Sequence, residues 1–201
     1  MGLAGANGSG KTTLLKILAT LVTPNTGTGH INGYGLKEGF KIRSSVGIAL
    51  LGERSFYWRL TGRENLEFFA ALQNIAVPKI KHRINEVLTI VGLKNISNLW
   101  YGNYSSGMKQ RLNIARALLH NPDILLLDEP TRNLDAKGTS EIFRFIKKNI
   151  VESHRKSVLI ATNRLKEIRE VCDKALLLDK GKMIGFGDCT EIANKLSILE
   201  L

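Results

Sequence analysis

Gly5-Ala6-Asn7-Gly8-Ser9-Gly10-Lys11-Thr12-Thr13 is the stretch on which the reading of this chain turns. It fits the pattern G-x-x-x-x-G-K-[ST], with Met1-Gly2-Leu3-Ala4 before it and an apolar helical run after it. The residue types suit the binding of phosphate. Glycines let consecutive backbone N–H groups curl around phosphate oxygens, where a Cβ would obstruct them. Lys11 can place a point charge on the β- and γ-phosphates, and the Thr12 hydroxyl can ligate Mg²⁺. A helix starting here aims its positive end at the same anion. The pattern by itself also fits an ordinary Gly-rich turn, so its context decides.

Working outward, Lys11 to Leu21 reads as the helix after the loop, with Leu14, Leu15, Leu18 and Leu21 at helical spacing. Thr23-Pro24-Asn25-Thr26-Gly27 ends it. His30 to Gly35 reads as a short strand and turn, and Ser45 to Leu51 as an apolar β-type run. Thr61-Gly62-Arg63-Glu64 is a capping box opening a helix with Leu66, Phe69, Ala70 and Gln73. Beyond Pro78, a helix carries Ile80, Ile84, Val87, Leu88 and Val91 on one face. Gly107 to His120 is a third. Three successive helices between β-rich parts predict a helical subdomain, about 61–120, inserted into an α/β core of 1–60 and 121–201.

From Asp123 the pattern returns to strand and helix alternation. Ile124-Leu125-Leu126-Leu127 is the continuous apolar run of a central parallel strand. A helix with Ile142, Phe145, Ile146 and Ile150 follows, then a buried strand, Ser157 to Ala161, and a helix from Arg164 to Val171. Lys174 to Leu178 and Lys182 to Phe186 flank Asp179-Lys180-Gly181 as a hairpin, and Asp188 caps a last short helix. The fold class is α/β of the nucleotide-binding kind, with ligands at the carboxyl ends of the strands.

Composition agrees. A chain of 201 residues, 43% hydrophobic and 23% charged, can bury one core with an embedded subdomain. Its richest apolar run, Leu14 to Val22, is interrupted by Lys16 and is too short to span a bilayer. With no basic-then-apolar start, the expected location is the cytoplasm. Cys172 and Cys189 lack metal or redox spacing and read as reduced structural thiols. The net charge of +11 fits nucleic acid, an anionic surface or a phosphorylated ligand; the alternative is dispersal over solvated faces, which the even spread of Lys and Arg favours.

Two further motifs carry chemistry. The strand Ile124–Leu127 ends in Asp128-Glu129, which holds two carboxylates rigidly at its tip. The first can bind Mg²⁺, and the second can orient and deprotonate an attacking water. Tyr104-Ser105-Ser106-Gly107-Met108-Lys109-Gln110-Arg111 precedes that strand by one helix and continues Leu112-Asn113-Ile114-Ala115-Arg116-Ala117-Leu118. The segment resembles the L-S-G-G-Q signature and Q-R-x-x-x-A-R-A-L continuation of ATP-binding cassette (ABC) proteins. Asn133-Leu134-Asp135 similarly resembles their D-loop. The resemblance covers essentially the whole chain. It implies a P-loop NTPase core with a mainly parallel sheet and an inserted helical subdomain.

It also implies a function. ATP and Mg²⁺ would be the cofactors, with Gly5 to Thr13 around the phosphates, Thr12 and Asp128 on Mg²⁺, and Glu129, Lys11 and Asp128 as catalytic residues. Ser105, Ser106, Gly107 and Asp135 would serve the ATP of a second ATP-binding subunit in a head-to-tail dimer. Closure of that dimer would drive integral membrane permease subunits from the cytoplasmic face of the cell membrane, with no nucleic acid involved. Ser55 to Leu66 looks most like exporters of the ABC-2 type. In such proteins, aromatics such as Phe56, Tyr57 and Trp58 would suit the groove that receives the membrane subunit, although packing between the two lobes explains them equally well.

Departures from the family pattern temper these implications. Only four residues precede Gly5, so the front strands and the adenine-stacking aromatic are expected to be missing, as in a fragment or a start assigned late. Gly52-Glu53 occupies the place of the Q-loop glutamine, with Glu53 a substitute oxygen ligand for the metal. Asn163, in Ala161-Thr162-Asn163, takes the place of the switch histidine; it can hydrogen-bond a γ-phosphate but cannot shuttle a proton. The signature pair is Ser106-Gly107 rather than Gly-Gly. Two other readings therefore stay open: a nucleotide-binding but hydrolysis-poor regulatory subunit, and a soluble ABC protein acting on nucleic acid.

Overall fold

The computed structural model describes residues 1–50 and 56–192. In chain order the elements are β1 (Gly2–Ala4), α1 (Lys11–Leu18), β2 (His30–Ile31), β3 (Tyr34–Gly35), α2 (Gly39–Ser45), β4 (Val46–Ala49), α3 (Gly62–Leu72), α4 (Val77–Ile90) and α5 (Ser106–Leu118). These are followed by β5 (Ile124–Asp128), α6 (Ala136–Phe145), β6 (Ser157–Thr162), α7 (Leu165–Val171), β7 (Lys174–Asp179) and β8 (Lys182–Asp188). They divide into two compact units, one of residues 1–51, 126–130 and 158–201, the other of 52–125 and 131–157. No helix among the described residues is long and apolar enough to cross a membrane.

The first unit is built on a six-stranded sheet in the order β4-β5-β6-β1-β7-β8. Only three residues long, β1 nevertheless lies inside the sheet. It runs parallel to β6 and to β7, so that Leu3 faces Ala161 on one side and Leu176 on the other. Strands paired on both edges and covered on both faces need apolar side chains throughout. Leu125, Leu127, Ile160, Ala161 and Leu177 are accordingly buried. At the sheet's edge, β7 and β8 are antiparallel, joined through Lys180 and Gly181, which both have positive φ (45° and 78°). That is the backbone a two-residue hairpin with right-handed strand twist requires.

The helix after the loop stops at Leu18, three residues before its apolar spacing predicts. Thr20 turns left-handed (φ 56°), and Leu21 N–H returns to the Lys16 carbonyl while Thr20 N–H bonds that of Ile17. This Schellman closure satisfies carbonyls that the last turn would otherwise leave orphaned. Helix α2 was not evident in the sequence, where its residues show no helical apolar period.

The second unit is a helical cluster around Leu66, Ile84, Leu88, Leu112 and Leu118, each fully buried. Burial of side chains this size contributes about 1.5–3 kcal/mol apiece. The capping box at α3 forms as read: Glu64 N–H donates to Thr61 Oγ1 at 3.1 Å, and Thr61 N–H to Glu64 Oε2 at 2.7 Å. Arg83 of α4 closes the end of α5, donating from Nε to the Leu119 carbonyl at 2.8 Å and from Nη2 to that of Leu118. A cation there also complements the negative end of the helix. Helix α6 passes into a π-helical segment, Ile146–Glu152, which keeps Ile146 and Ile150 buried.

The aromatic stretch divides. Phe56, one of the three aromatics offered for the docking groove, is instead buried against Tyr101 (stacked, 4.9 Å) and Phe69 (edge-on, 5.4 Å), beneath the Arg116 guanidinium. Tyr57 and Trp58 remain half or more exposed. The turn bearing them is clamped by Asn65, which is fully buried. Its Oδ1 accepts from Tyr57 N–H at 2.8 Å, and its Nδ2 donates to the Tyr57 and Thr61 carbonyls at 3.1 and 2.9 Å.

Candidate functional site

Between β1 and α1 the chain makes the turn that the glycine pattern demands. Gly10 caps α1 with φ 104°, a conformation L side chains rarely adopt. Gly5 is buried at the start, where a Cβ would strike the Leu178 carbonyl and the Ser9 side chain. Ala6, Asn7 and Gly8 between them are exposed, and their backbone can meet a ligand. Ser9 is buried, and its Oγ finds no hydrogen-bond partner among the described residues. An orphaned hydroxyl inside a Gly-lined turn at a helix N-terminus fits an anion with several acceptor oxygens.

Lys11 is almost fully buried and folds back over this turn, its Nζ donating to the carbonyls of Gly5 (2.8 Å) and Ala6 (3.0 Å). Burial pulls its pKa below the usual lysine value, and the carboxylates of Glu129 and Asp128 work against that shift. The next residue, Thr12, is exposed, and its hydroxyl donates to Asp128 Oδ2 at 2.8 Å across a sequence separation of 116 residues. The parallel sheet brings them together, because Asp128 ends β5 on the side where the loop leaves β1. Two hard oxygen donors in contact beside a phosphate loop suit Mg²⁺, which takes few protein ligands and completes its shell with phosphate and water. Among the described residues, no cluster of three or more His, Cys, Asp or Glu side chains forms a metal site of another kind.

Glu129 follows in a left-handed conformation (φ 47°), which costs a non-glycine residue on the order of 1–2 kcal/mol. Neighbours hold it there. Its N–H donates to the Ala161 carbonyl at 2.8 Å, and its Oε1 accepts from Asn163 N–H at 3.0 Å. Burial raises the pKa of its carboxyl; the Asn163 bond and the charge of Lys11 oppose the rise. A carboxyl with this balance is suited to take a proton. Asn163 is exposed, and its Nδ2 donates to Asn7 Oδ1 of the loop at 3.2 Å. The loop, the paired acids and Asn163 thus form one group within the first unit.

Ser105, Ser106, Gly107 and Asp135 belong to the second unit. Ser105 caps α5, its Oγ accepting from Met108 N–H at 3.3 Å, and both serines are exposed. At Gly107 a Cβ would meet open space. Asp135 is an exposed cap of α6, accepting from Gly138 N–H at 2.7 Å. The Gly52–Glu53 position of the expected Q-loop lies outside the described residues. Motif reading overlooked Glu167 and the bond of Asn7 to Asn163. Glu167 is buried on α7 within reach of Thr162; with Lys166, Arg169 and Glu170 beside it on a largely charged helix, its sequence position carries little signal.

A phosphate loop with its lysine, a Thr–Asp pair and a strand-tip glutamate on a parallel sheet define a P-loop nucleotide-binding domain. Comparison with known proteins makes this specific. The family described as "ABC transporter" matches residues 1–132. The chain is 36% identical over 185 residues to the ABC transporter ATP-binding protein NatA of Bacillus subtilis (strain 168), covering 92% of this chain and 74% of NatA. It is 39% identical over 184 residues to the bacitracin transport ATP-binding protein BcrA of Bacillus licheniformis, covering 91% of this chain and 58% of BcrA. Its fold matches the ATP-binding cassette MJ0796, solved as a dimer in a post-hydrolysis state with ADP and Pi, with a TM-score of 0.78 at 28% identity over 94% of this chain and 84% of that one. The chain belongs to the ABC transporter family, as an ATP-binding domain of the ATPase type.

Proposed function

We propose that this domain hydrolyses ATP to power export through separate integral membrane permease subunits, docked at the cytoplasmic face of the membrane. Lys11 and the loop N–H groups hold the phosphates, Thr12 and Asp128 hold Mg²⁺, and Glu129 polarises the attacking water. Catalysis is then chiefly positioning and charge stabilisation. Two such domains form a head-to-tail dimer, in which Ser105, Ser106, Gly107 and Asp135 of each complete the ATP site of the other. Export follows from the likeness of the 55–66 segment to ABC-2 exporters. The exposed Tyr57 and Trp58 supply the aromatic contact area for a permease segment.

The observation that carries the catalytic reading is the placement of Glu129. It sits half-buried beside the Thr12–Asp128 pair, with one carboxylate oxygen fixed by Asn163 N–H. Glu129→Gln is expected to keep ATP binding and lose about 10²–10⁴-fold in turnover. Hydrolysis at the parent rate in that variant would sink the reading. A second reading, a hydrolysis-poor regulatory subunit, draws on Asn163, whose amide is bonded to Asn7 and carries no titratable proton. Nucleotide titration beside phosphate release separates the two, since tight binding without release favours the second.

A further inference from the structure

At the carboxyl end of β6, Thr162 is fully buried, and its hydroxyl lies between two carboxylates. It is 3.0 Å from Oε2 of Glu167 and 3.4 Å from Oε2 of Glu129. The same oxygen accepts from Arg164 N–H at 3.1 Å. A hydroxyl has one proton, and an ionised carboxylate can only accept, so Thr162 satisfies one acid at a time. The shorter contact is to Glu167, which is itself buried and is paired at 3.3 Å with the Arg164 guanidinium. No step assigned to the phosphate loop, the metal pair or the signature helix uses Glu167.

We propose that Glu167 is a positioning residue for Glu129, acting through the Thr162 proton. By taking that proton, Glu167 withholds it from Glu129. The Glu129 carboxylate is then fixed through Oε1 by Asn163 N–H, and Oε2 is left to accept from the attacking water. The geometry supplies the selection. Two carboxylates compete for one donor, and the shorter bond wins. Hydrogen bonds to charged acceptors are roughly twice as strong as those to neutral ones. Replacing Glu167 by an amide therefore hands the competition to Glu129, whose Oε2 then engages Thr162 instead of water.

This inference rests on Glu129 acting on the water, and the experiment separates the two claims. Steady-state hydrolysis of Mg-ATP by the full chain is measured for Glu167→Gln, Thr162→Val, the double variant and Glu129→Gln. Glu167→Gln is expected to lower kcat about tenfold with KM for ATP unchanged within about twofold. In the Thr162→Val background, where no proton is contested, Glu167→Gln is expected to have no further effect. An equal loss in both backgrounds overturns the proposal, because Glu167 then acts by another route. Loss of ATP binding along with turnover in Glu167→Gln also overturns it, in favour of a role in the fold. Full activity of Glu167→Gln with an inactive Glu129→Gln defeats the positioning role alone. Parent-rate hydrolysis in Glu129→Gln defeats the catalytic reading beneath it.

Discussion

The phosphate loop and the signature helix both place a serine- and glycine-bearing turn at a helix N-terminus, yet they are finished to different degrees. Around the loop, the side chains already hold one another. Lys11 bonds two loop carbonyls, Thr12 bonds Asp128, and Glu129 bonds Asn163. The turn at Ser105–Gly107 caps only its own helix, and its serines face solvent. A pre-organised centre loses little freedom when a ligand arrives, whereas an open helix terminus gains its partners from outside. Under the proposed function, the first would serve binding in the isolated chain, and the second would be completed in an assembly.

Three substitutions sharpen or break that comparison. The largest effect is expected at Gly107. Open space surrounds it, so Gly107→Asp is expected to leave the fold intact; its negative charge, set at the helix end proposed to meet the partner's ATP, is expected to cut turnover about 100-fold. Nucleotide affinity of the isolated chain is expected to stay within about twofold, since the loop is untouched. A matching loss of affinity, measured by titration, would mean that the two turns do not divide the work in this way.

Asn65→Ala comes next. It strips a buried residue of its bonds to Tyr57 and Thr61 and leaves backbone groups unsatisfied, and about 2–3 kcal/mol of stability is expected to go with them. Denaturant unfolding measures the loss, while ATP binding at the loop is expected to hold below the transition. The smallest effect is expected from Asn163→His, which restores a titratable donor beside Glu129 and is expected to raise turnover by about three- to fivefold. An unchanged rate there would show that the bond from Asn163 N–H, common to both residues, is all that the position contributes.

Much of the site was legible in the sequence. Lys11, Thr12, Asp128 and Glu129 stand in patterns whose residue types admit few alternatives, because a Gly-lined turn and an apolar strand ending in acids are local devices. The capping box of α3 and the turn between β7 and β8 were readable for the same reason: their bonds join residues three apart or fewer. What escaped was non-local. A three-residue strand such as β1 has no period to read, and only its pairing with β6 and β7 reveals it. The early end of α1 depended on Thr20 accepting a left-handed backbone, which its apolar spacing could not signal. In sequence Phe56 is indistinguishable from Tyr57 and Trp58, and only the approach of Tyr101, Phe69 and Arg116 buries it.

By itself, then, the sequence determined which groups are on offer for the proposed chemistry: a Gly-rich turn, a hydroxyl and a carboxylate suited to a cation, a second carboxylate at the same strand tip, and a second serine- and glycine-bearing helix end. Tertiary structure decided how those groups are held. It put Thr12 against Asp128 from 116 residues away, set Asn163 between Asn7 and Glu129, and left the one proton of Thr162 to be contested by Glu129 and Glu167. The physical reason is directional. Residue type limits which bonds a side chain can make, but the packing of β5, β6 and the phosphate loop at one end of a parallel sheet chooses among them.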